Sequence, residues 1–377
     1  MTDGHEVLEG RLVLADGVVP GRLTIGDGWI LDVDPDPQEE RALDGPIYAP
    51  GFVDIHCHGW GGFAATGDAA ALSGMARALL RRGVTSFLPT APTLAEDELP
   101  GFAGRVRAWI PDAPEDGAQP LGFNLEGPLL APERRGAHDP GLLRTPAGLA
   151  TETLEAVLDG LRVITIAPEL PGAPELIARL AAADVVVSLG HSAATLVEAR
   201  AGYRAGARST THLFNAMSGA DHRAPGLAVA ALEDDDAYVE LIADGHHVHQ
   251  ALWPLVARIK PVDRLVLVSD ALPIAGTGDG RTTLGSLEIE VNGGVAKVAG
   301  TATLAGSVIA LDEAVRQLTA TGTGLASAVR AASGNPATLL GADDRGSLEE
   351  GRRAHIVELD DELRVRRVTR GAGWIEA

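Results

Sequence analysis

Two imidazoles stand two residues apart in Gly51-Phe-Val-Asp-Ile-His-Cys-His-Gly59, inside a largely apolar run. In a strand, successive side chains point to opposite faces, so Asp54, His56 and His58 share one face while Val53, Ile55 and Cys57 share the other. This sets a metal-ligand face opposite a packing face. Buried imidazoles are costly unless each nitrogen finds a proton, an acceptor or a cation; the plain alternative is two satisfied core histidines. Glu126, His191, His212 and Asp270 also follow apolar runs. With the first two histidines they supply the nitrogen and carboxylate donors that zinc or a similar divalent ion takes. Read singly, each has a structural alternative: Glu126 before Gly127-Pro128 and Asp270 as caps, His191-Ser192 as a helix start. Read together, they favour a shared metal site.

The elements that must position them alternate. Strand candidates end near His58, Thr90, Glu126, Glu169, His191, His212, Asp244 and Asp270. Helical windows rich in Ala, Leu and Arg, such as 69–82, 175–183 and 194–205, lie between them. This rhythm predicts βαβ units and a parallel sheet, and eight strands predict a closed (β/α)8 barrel of the TIM type over residues 50–345, an α/β fold. All eight strand ends then converge on one rim, where active sites of such barrels sit. Residues 7–49, broken at Asp16-Gly17 and Asp27-Gly28, and the tail from Gly346 alternate with a period of two. The expected result is a small β-sandwich domain built from 1–49 plus 346–377. Residues 127–149, rich in Pro and Gly and carrying Arg134, Arg135 and His138, read as a functional loop or lid, and 286–298 as a hairpin around Asn292-Gly293-Gly294.

The 377 residues carry a formal charge of −21, which argues against nucleic acid and anionic membranes as partners. Cys57 is the only cysteine, so no intrachain disulfide can form and a reducing compartment is the simplest setting. No apolar run reaches the roughly 18 residues of a membrane span, and no basic-then-apolar leader opens the chain. A soluble cytoplasmic protein is expected.

Leu125-Glu-Gly-Pro, Gly190-His-Ser, Thr211-His-Leu-Phe-Asn-Ala-Met217, Ile242-Ala-Asp-Gly-His-His247 and Val268-Ser-Asp-Ala271 occur in this order, followed by Leu304-Ala-Gly-Ser307 and Asn335-Pro-Ala337. In these segments the chain resembles N-acetylglucosamine-6-phosphate deacetylases of the amidohydrolase superfamily. The resemblance implies a metal-dependent barrel with a small β-domain from both termini. It implies that Glu126, His191 and His212 hold one divalent cation, and that His56, His58 and the shared Glu126 can hold a second. Zinc comes first among the candidates, with one or two ions per subunit. Asp270 becomes the general base and acid. Ala137, His138, Asn215, Ala216, Leu304, Ala305 and Gly306 fall around the sugar and its acetyl group. Arg223 and His247 match phosphate ligands contributed across a dimer interface, which implies a homodimer.

The implied reaction is removal of the N-acetyl group of a small phosphorylated amino sugar, N-acetylglucosamine 6-phosphate. Its alternative is a related amide, the galactosamine epimer or an N-acyl amino acid. A metal lowers the pKa of water from 15.7 to about 7, Asp270 can pass its proton to the leaving amine, and His138 can donate to the developing oxyanion. Cyclic amidases often use a carboxylated lysine at a strand end; the only lysines, Lys260 and Lys297, stand at no expected rim position. His246 and His249 receive no ligand role. The chain departs from many relatives at Ser218, Asp221 and His355. Asp221 is the departure that bears on Arg223, since it can pair with the guanidinium or weaken phosphate binding.

Overall fold

The computed structural model describes residues 5–36 and 45–377. The apolar runs between the helical windows become eight parallel strands: β1 Phe52–Cys57, β2 Val84–Ala91, β3 Phe123–Glu126, β4 Leu161–Ile166, β5 Val186–Leu189, β6 Ser209–Thr210, β7 Tyr238–Leu241 and β8 Leu265–Leu267. They pair in chain order from β1 to β8. Nearly every residue in them is buried, which is why they read as continuous apolar runs rather than as alternation. The first and last strands meet through a parallel bridge between Cys57 and Ala271. The Asp270 amide donates to the His56 carbonyl at 2.9 Å, and the His58 amide to that of Ala271 at 2.9 Å. The barrel is therefore nearly closed, and its seam runs through the proposed ligands.

The helices cover the barrel with the expected stripe. Helix Ala69–Leu80 buries Leu72, Met75, Ala76, Leu79 and Leu80, a spacing that keeps one face inward, and Asp68 caps it by accepting from the Ala71 amide. Helix Leu196–Arg204 starts on a reciprocal capping box between Thr195 and Glu198.

Seven strands form the second sheet. His5–Leu14, Gly17–Gly26, Trp29–Pro35 and Ile47–Pro50 come from the first part of the chain, and His355–Leu359, Val365–Arg370 and Trp374–Glu376 from the last. All neighbours are antiparallel except His5–Leu14 against Ile47–Pro50. Asp27 (φ 52°) and Gly28 (φ 83°) make the tight two-residue turn that their types suggested. Leu8, Leu12, Leu23, Tyr48 and Ile356 give this sheet a core of its own. The indole of Trp374, on the edge strand, donates to Glu6 at 2.9 Å, so the sheet curls back on itself. The expected sandwich is thus built by one continuous curled sheet. Of the stretch read as 7–49, residues 37–44 lie outside the described residues.

Residues 127–149 carry three short turns of 3-10 helix, each opening on a proline: Pro132–Arg134, Pro140–Leu142 and Pro146–Gly148. The hairpin is Leu287–Asn292 with Val295–Val298, and Gly293 (φ 58°) and Gly294 (φ 77°) turn it. A third strand, Gly280–Leu284, joins it. That strand is mostly exposed and polar, so no hydrophobic alternation announces it.

Candidate metal centre

The candidate ligands and Asp270 stand at, or a few positions beyond, the C-terminal ends of barrel strands. Glu126 ends β3, and His56 is the penultimate residue of β1. His191, His212 and Asp270 follow β5, β6 and β8 with left-handed backbones, at φ of 47°, 29° and 50°. For side chains with a Cβ this costs on the order of 1–3 kcal/mol each. The sharp bends bring these three side chains into the barrel mouth.

Glu126 is the hub. Its Oε1 lies 2.9 Å from His212 Nε2, 3.1 Å from His191 Nε2 and 3.5 Å from His56 Nε2. Its Oε2 lies 3.1 Å from His58 Nε2 and 3.3 Å from His138 Nε2. Asp270 Oδ1 faces His58 Nε2 at 3.2 Å and His56 Nε2 at 3.5 Å. Two overlapping groups result, Glu126 with His191 and His212, and Glu126 with His56, His58 and Asp270; the donor atoms of each lie within 4.8 Å of one another. All six residues are buried.

The outer ring nitrogens separate ligands from donors. His191 Nδ1 lies 2.8 Å from the Arg134 carbonyl and His58 Nδ1 3.1 Å from the Thr90 carbonyl. A carbonyl only accepts, so each Nδ1 carries the proton and each Nε2 lone pair is left for the cluster. His56 Nδ1 meets a carboxylate instead, Glu240 Oε2, at 3.2 Å. His138 is reversed: the Thr93 amide donates to its Nδ1 at 3.2 Å, so a neutral ring carries its proton on Nε2 and is a donor toward the cavity. The Nε2 atoms of His56 and His58 are buried without a hydrogen-bond partner. Converging lone pairs and carboxylates of this kind fit a divalent cation.

Electrostatics follows the same geometry. Burial works against charging His56 and His58, but the facing Glu126 and Asp270 outweigh it: His56 is raised well above the ordinary range and His58 to about 9. Burial pushes His191 down to about 4 against the pull of Glu126. Burial would raise Glu126 and Asp270, yet the imidazoles around them hold both below the usual carboxylate range.

A cavity of about 320 Å³ opens onto these groups. Ala137, His138, Asn215 and Ala216 line it on one side, and His247, Leu304, Ala305 and Gly306 on another. Gly136 has φ 56° in the loop that covers it, and a Cβ there would sit 3.1 Å from the His191 ring, so a larger residue would push loop and ring apart by a few tenths of an ångström. Every residue anticipated at the site is therefore brought together except Arg223, which is exposed and does not line this cavity. Asp221 does not pair with its guanidinium; Asp221 Oδ1 accepts from the Arg223 and Ala224 amides at 2.8 and 2.9 Å. His247 Nδ1 pairs with Asp244 Oδ2 at 2.7 Å, whereas His246 and His249 are exposed.

A larger cavity, about 640 Å³, lies at the opposite end of the barrel among Arg204, Arg208, Tyr238 and Arg264 and touches none of the ligands. Buried Lys260 donates to the Ala231 carbonyl at 3.0 Å, and Lys297 is exposed on the hairpin, so neither lysine joins the centre. Sequence reasoning passed over Glu240 and Thr93. A carboxylate inside the apolar run Ala237-Tyr-Val-Glu-Leu-Ile242 was a usable signal for Glu240, since unpaired acids are rarely buried. Thr93 carries none, as its contact with His138 spans 45 positions.

Residues 47–370 match the amidohydrolase family. The N-acetylgalactosamine-6-phosphate deacetylase of Escherichia coli O157:H7 is 39% identical over 99% of this chain and 98% of its own. The N-acetylglucosamine-6-phosphate deacetylase of Homo sapiens is 42% identical over 87% of this chain and 83% of its own. Among solved structures, a variant N-acetyl-D-glucosamine-6-phosphate deacetylase from Mycobacterium smegmatis in complex with N-acetyl-D-glucosamine-6-phosphate superposes with a TM-score of 0.91. It is 36% identical, with 99% of this chain and 100% of that one covered. The enzyme of the same name from Thermotoga maritima also gives 0.91 at 32% identity, with 99% and 100% covered.

Proposed function

The chain belongs to the amidohydrolase family, and from that premise we propose that it removes the N-acetyl group of N-acetylglucosamine 6-phosphate, giving glucosamine 6-phosphate and acetate. It is a metal-dependent hydrolase in this reading. The observation that carries it is the set of converging ligands around Glu126, with Asp270 beside them, in a cavity that also holds His138 and His247.

Glu126, His191 and His212 would hold one cation, and His56, His58 and the shared Glu126 a second; the convergence of their donor atoms supports this. Zinc is the ion we favour, since imidazole and carboxylate suit it. A cation there supplies Lewis acidity, polarising the amide carbonyl and lowering the pKa of water from 15.7 to about 7. Asp270 takes a proton from the attacking water and returns it to the leaving amine, which departs poorly without it. His138 donates from Nε2 to the developing oxyanion, with its tautomer set by the Thr93 amide. Ala137, Asn215, Ala216, Leu304, Ala305 and Gly306 surround the sugar and its acetyl group, and His247 takes the phosphate.

Arg223 serves the neighbouring subunit's cavity in a homodimer. Its exposure outside its own cavity supports this, as do Leu252, Leu255, Ile259 and Val262, which stand 38%, 48%, 52% and 52% exposed just beyond His247. We assign 1–49 plus 346–377 to the small domain and 50–345 to the barrel. A cytoplasmic setting fits the single free Cys57. No described helix is long and apolar enough to cross a membrane.

The test is acetate release from N-acetylglucosamine 6-phosphate, from the unphosphorylated sugar and from the galactosamine epimer, before and after metal stripping and zinc restoration. Metal-dependent turnover that favours the gluco 6-phosphate is expected. Preference for the epimer would move the substrate to that of the Escherichia coli relative, and silence on all three would sink the sugar reading.

A further inference from the structure

Glu240 is in the middle of β7 with no exposed surface, behind the ligands rather than among them. Its Oε2 lies 3.2 Å from His56 Nδ1 and accepts from the His212 amide at 3.2 Å. Its Oε1 has no hydrogen-bond partner. Among the described residues no arginine or lysine pairs with it; its ion-pair partner is His56. A carboxylate is an expensive group to bury for packing alone. The other two cluster histidines with an engaged Nδ1, His58 and His191, rest on neutral carbonyls. His56 alone has an anionic support, the arrangement that fixes the ring and raises the basicity of its other nitrogen.

The consequence lies at the far side of the ring. His56 Nε2 lies 3.5 Å from Glu126 Oε1 and 3.5 Å from Asp270 Oδ1, buried and without a hydrogen-bond partner. We propose that Glu240 is the positioning residue of the second cation position: its carboxylate holds the His56 proton on Nδ1 and thereby presents the Nε2 lone pair to a cation shared with His58 and Glu126. The same oxygen anchors the His212 backbone, so β7 sets the spacing between the two ligand groups. This rests on the metal-dependent reading above and adds a residue that decides how many ions the chain holds.

The test counts ions rather than turnover. Metal-stripped wild type, Glu240→Gln, Glu240→Ala, His56→Asn and the double variant His56→Asn/Glu240→Ala are titrated with zinc against a chromophoric chelator, and bound zinc is counted by elemental analysis. Wild type is expected to bind two ions. Glu240→Ala should weaken the second by about 10–100-fold, as loss of a ligand's outer partner does, and Glu240→Gln, which keeps an acceptor, by less. The first ion stays in both variants and reports that they are folded. The double variant should match His56→Asn, because an effect transmitted through His56 disappears with it. Two ions held equally tightly by Glu240→Ala, or equal weakening of both ions, would overturn the proposal. A wild type that takes up a single ion would overturn the second position and this role together, while leaving the one-ion deacetylase reading intact.

Discussion

Two groups of charge lie far apart in this chain, a buried one at the barrel rim and a half-buried one where the curled sheet meets the barrel, and they are finished in opposite ways. At the junction, Arg345 pairs with Asp344 at 2.7 Å and donates to Ser86 Oγ at 2.9 Å and Gln119 Oε1 at 3.1 Å. Arg353 also bonds Asp344. Asp344 is consequently held well below the usual carboxylate range by the two guanidiniums, although burial opposes it. At the rim, imidazoles and carboxylates crowd together with the Nε2 atoms of His56 and His58 left without a hydrogen-bond partner. Charge completed by protein partners stabilises a contact between domains; donors that converge within ligand distance of one another can take a reactant or an ion.

The largest expected effect is at the rim. Asp270→Asn should keep the cation of Glu126, His191 and His212 while lowering turnover by roughly 10²–10⁴-fold, as loss of a proton shuttle does. Zinc content beside kcat checks it, and near-normal turnover would remove Asp270 from the proton path. Arg223→Ala sharpens the contrast between a residue outside its own cavity and one inside. It should raise KM for the 6-phosphate by roughly 10–100-fold, from the 1.5–3 kcal/mol of a hydrogen bond to a charged group. KM for the unphosphorylated sugar should barely move, and equal effects on both would take Arg223 out of the phosphate site.

The junction makes a pH-dependent prediction. His355 is buried beside Arg345, Arg370 and Arg353, with Asp344 opposing them; burial first and then the three guanidiniums push it from 6.5 down to about 3. Between those values the unfolded chain binds a proton that the native state refuses. The stabilising contribution of neutral His355 is therefore complete above about pH 6.5 and lost as pH falls toward 3, at about 1.4 kcal/mol per pH unit within the window. Urea unfolding at pH 7 and pH 5 should show a steeper loss for the wild type than for His355→Gln. Parallel loss in both proteins would mean that His355 is not the group that titrates.

Much of this molecule was legible before any coordinates. Strand ends expected near His58, Glu126, His191, His212 and Asp270 are ends of barrel strands or the bends just past them, because a strand buried on both faces must be apolar until it reaches the rim. The Gly280–Leu284 strand was not legible, since exposed pairing leaves no pattern of burial.

The sequence by itself determined the kinds of donor, the order of the strands and the family, since these depend on residue type and spacing along the chain. Only the tertiary structure decided which nitrogen of these four histidines faces the cluster, because that is set by a distant partner: Thr90 for His58, Arg134 for His191, Thr93 for His138 and Glu240 for His56. A tautomer is chosen by what touches the far side of the ring, and those contacts, 184 positions apart in the case of His56, exist only once the barrel has closed.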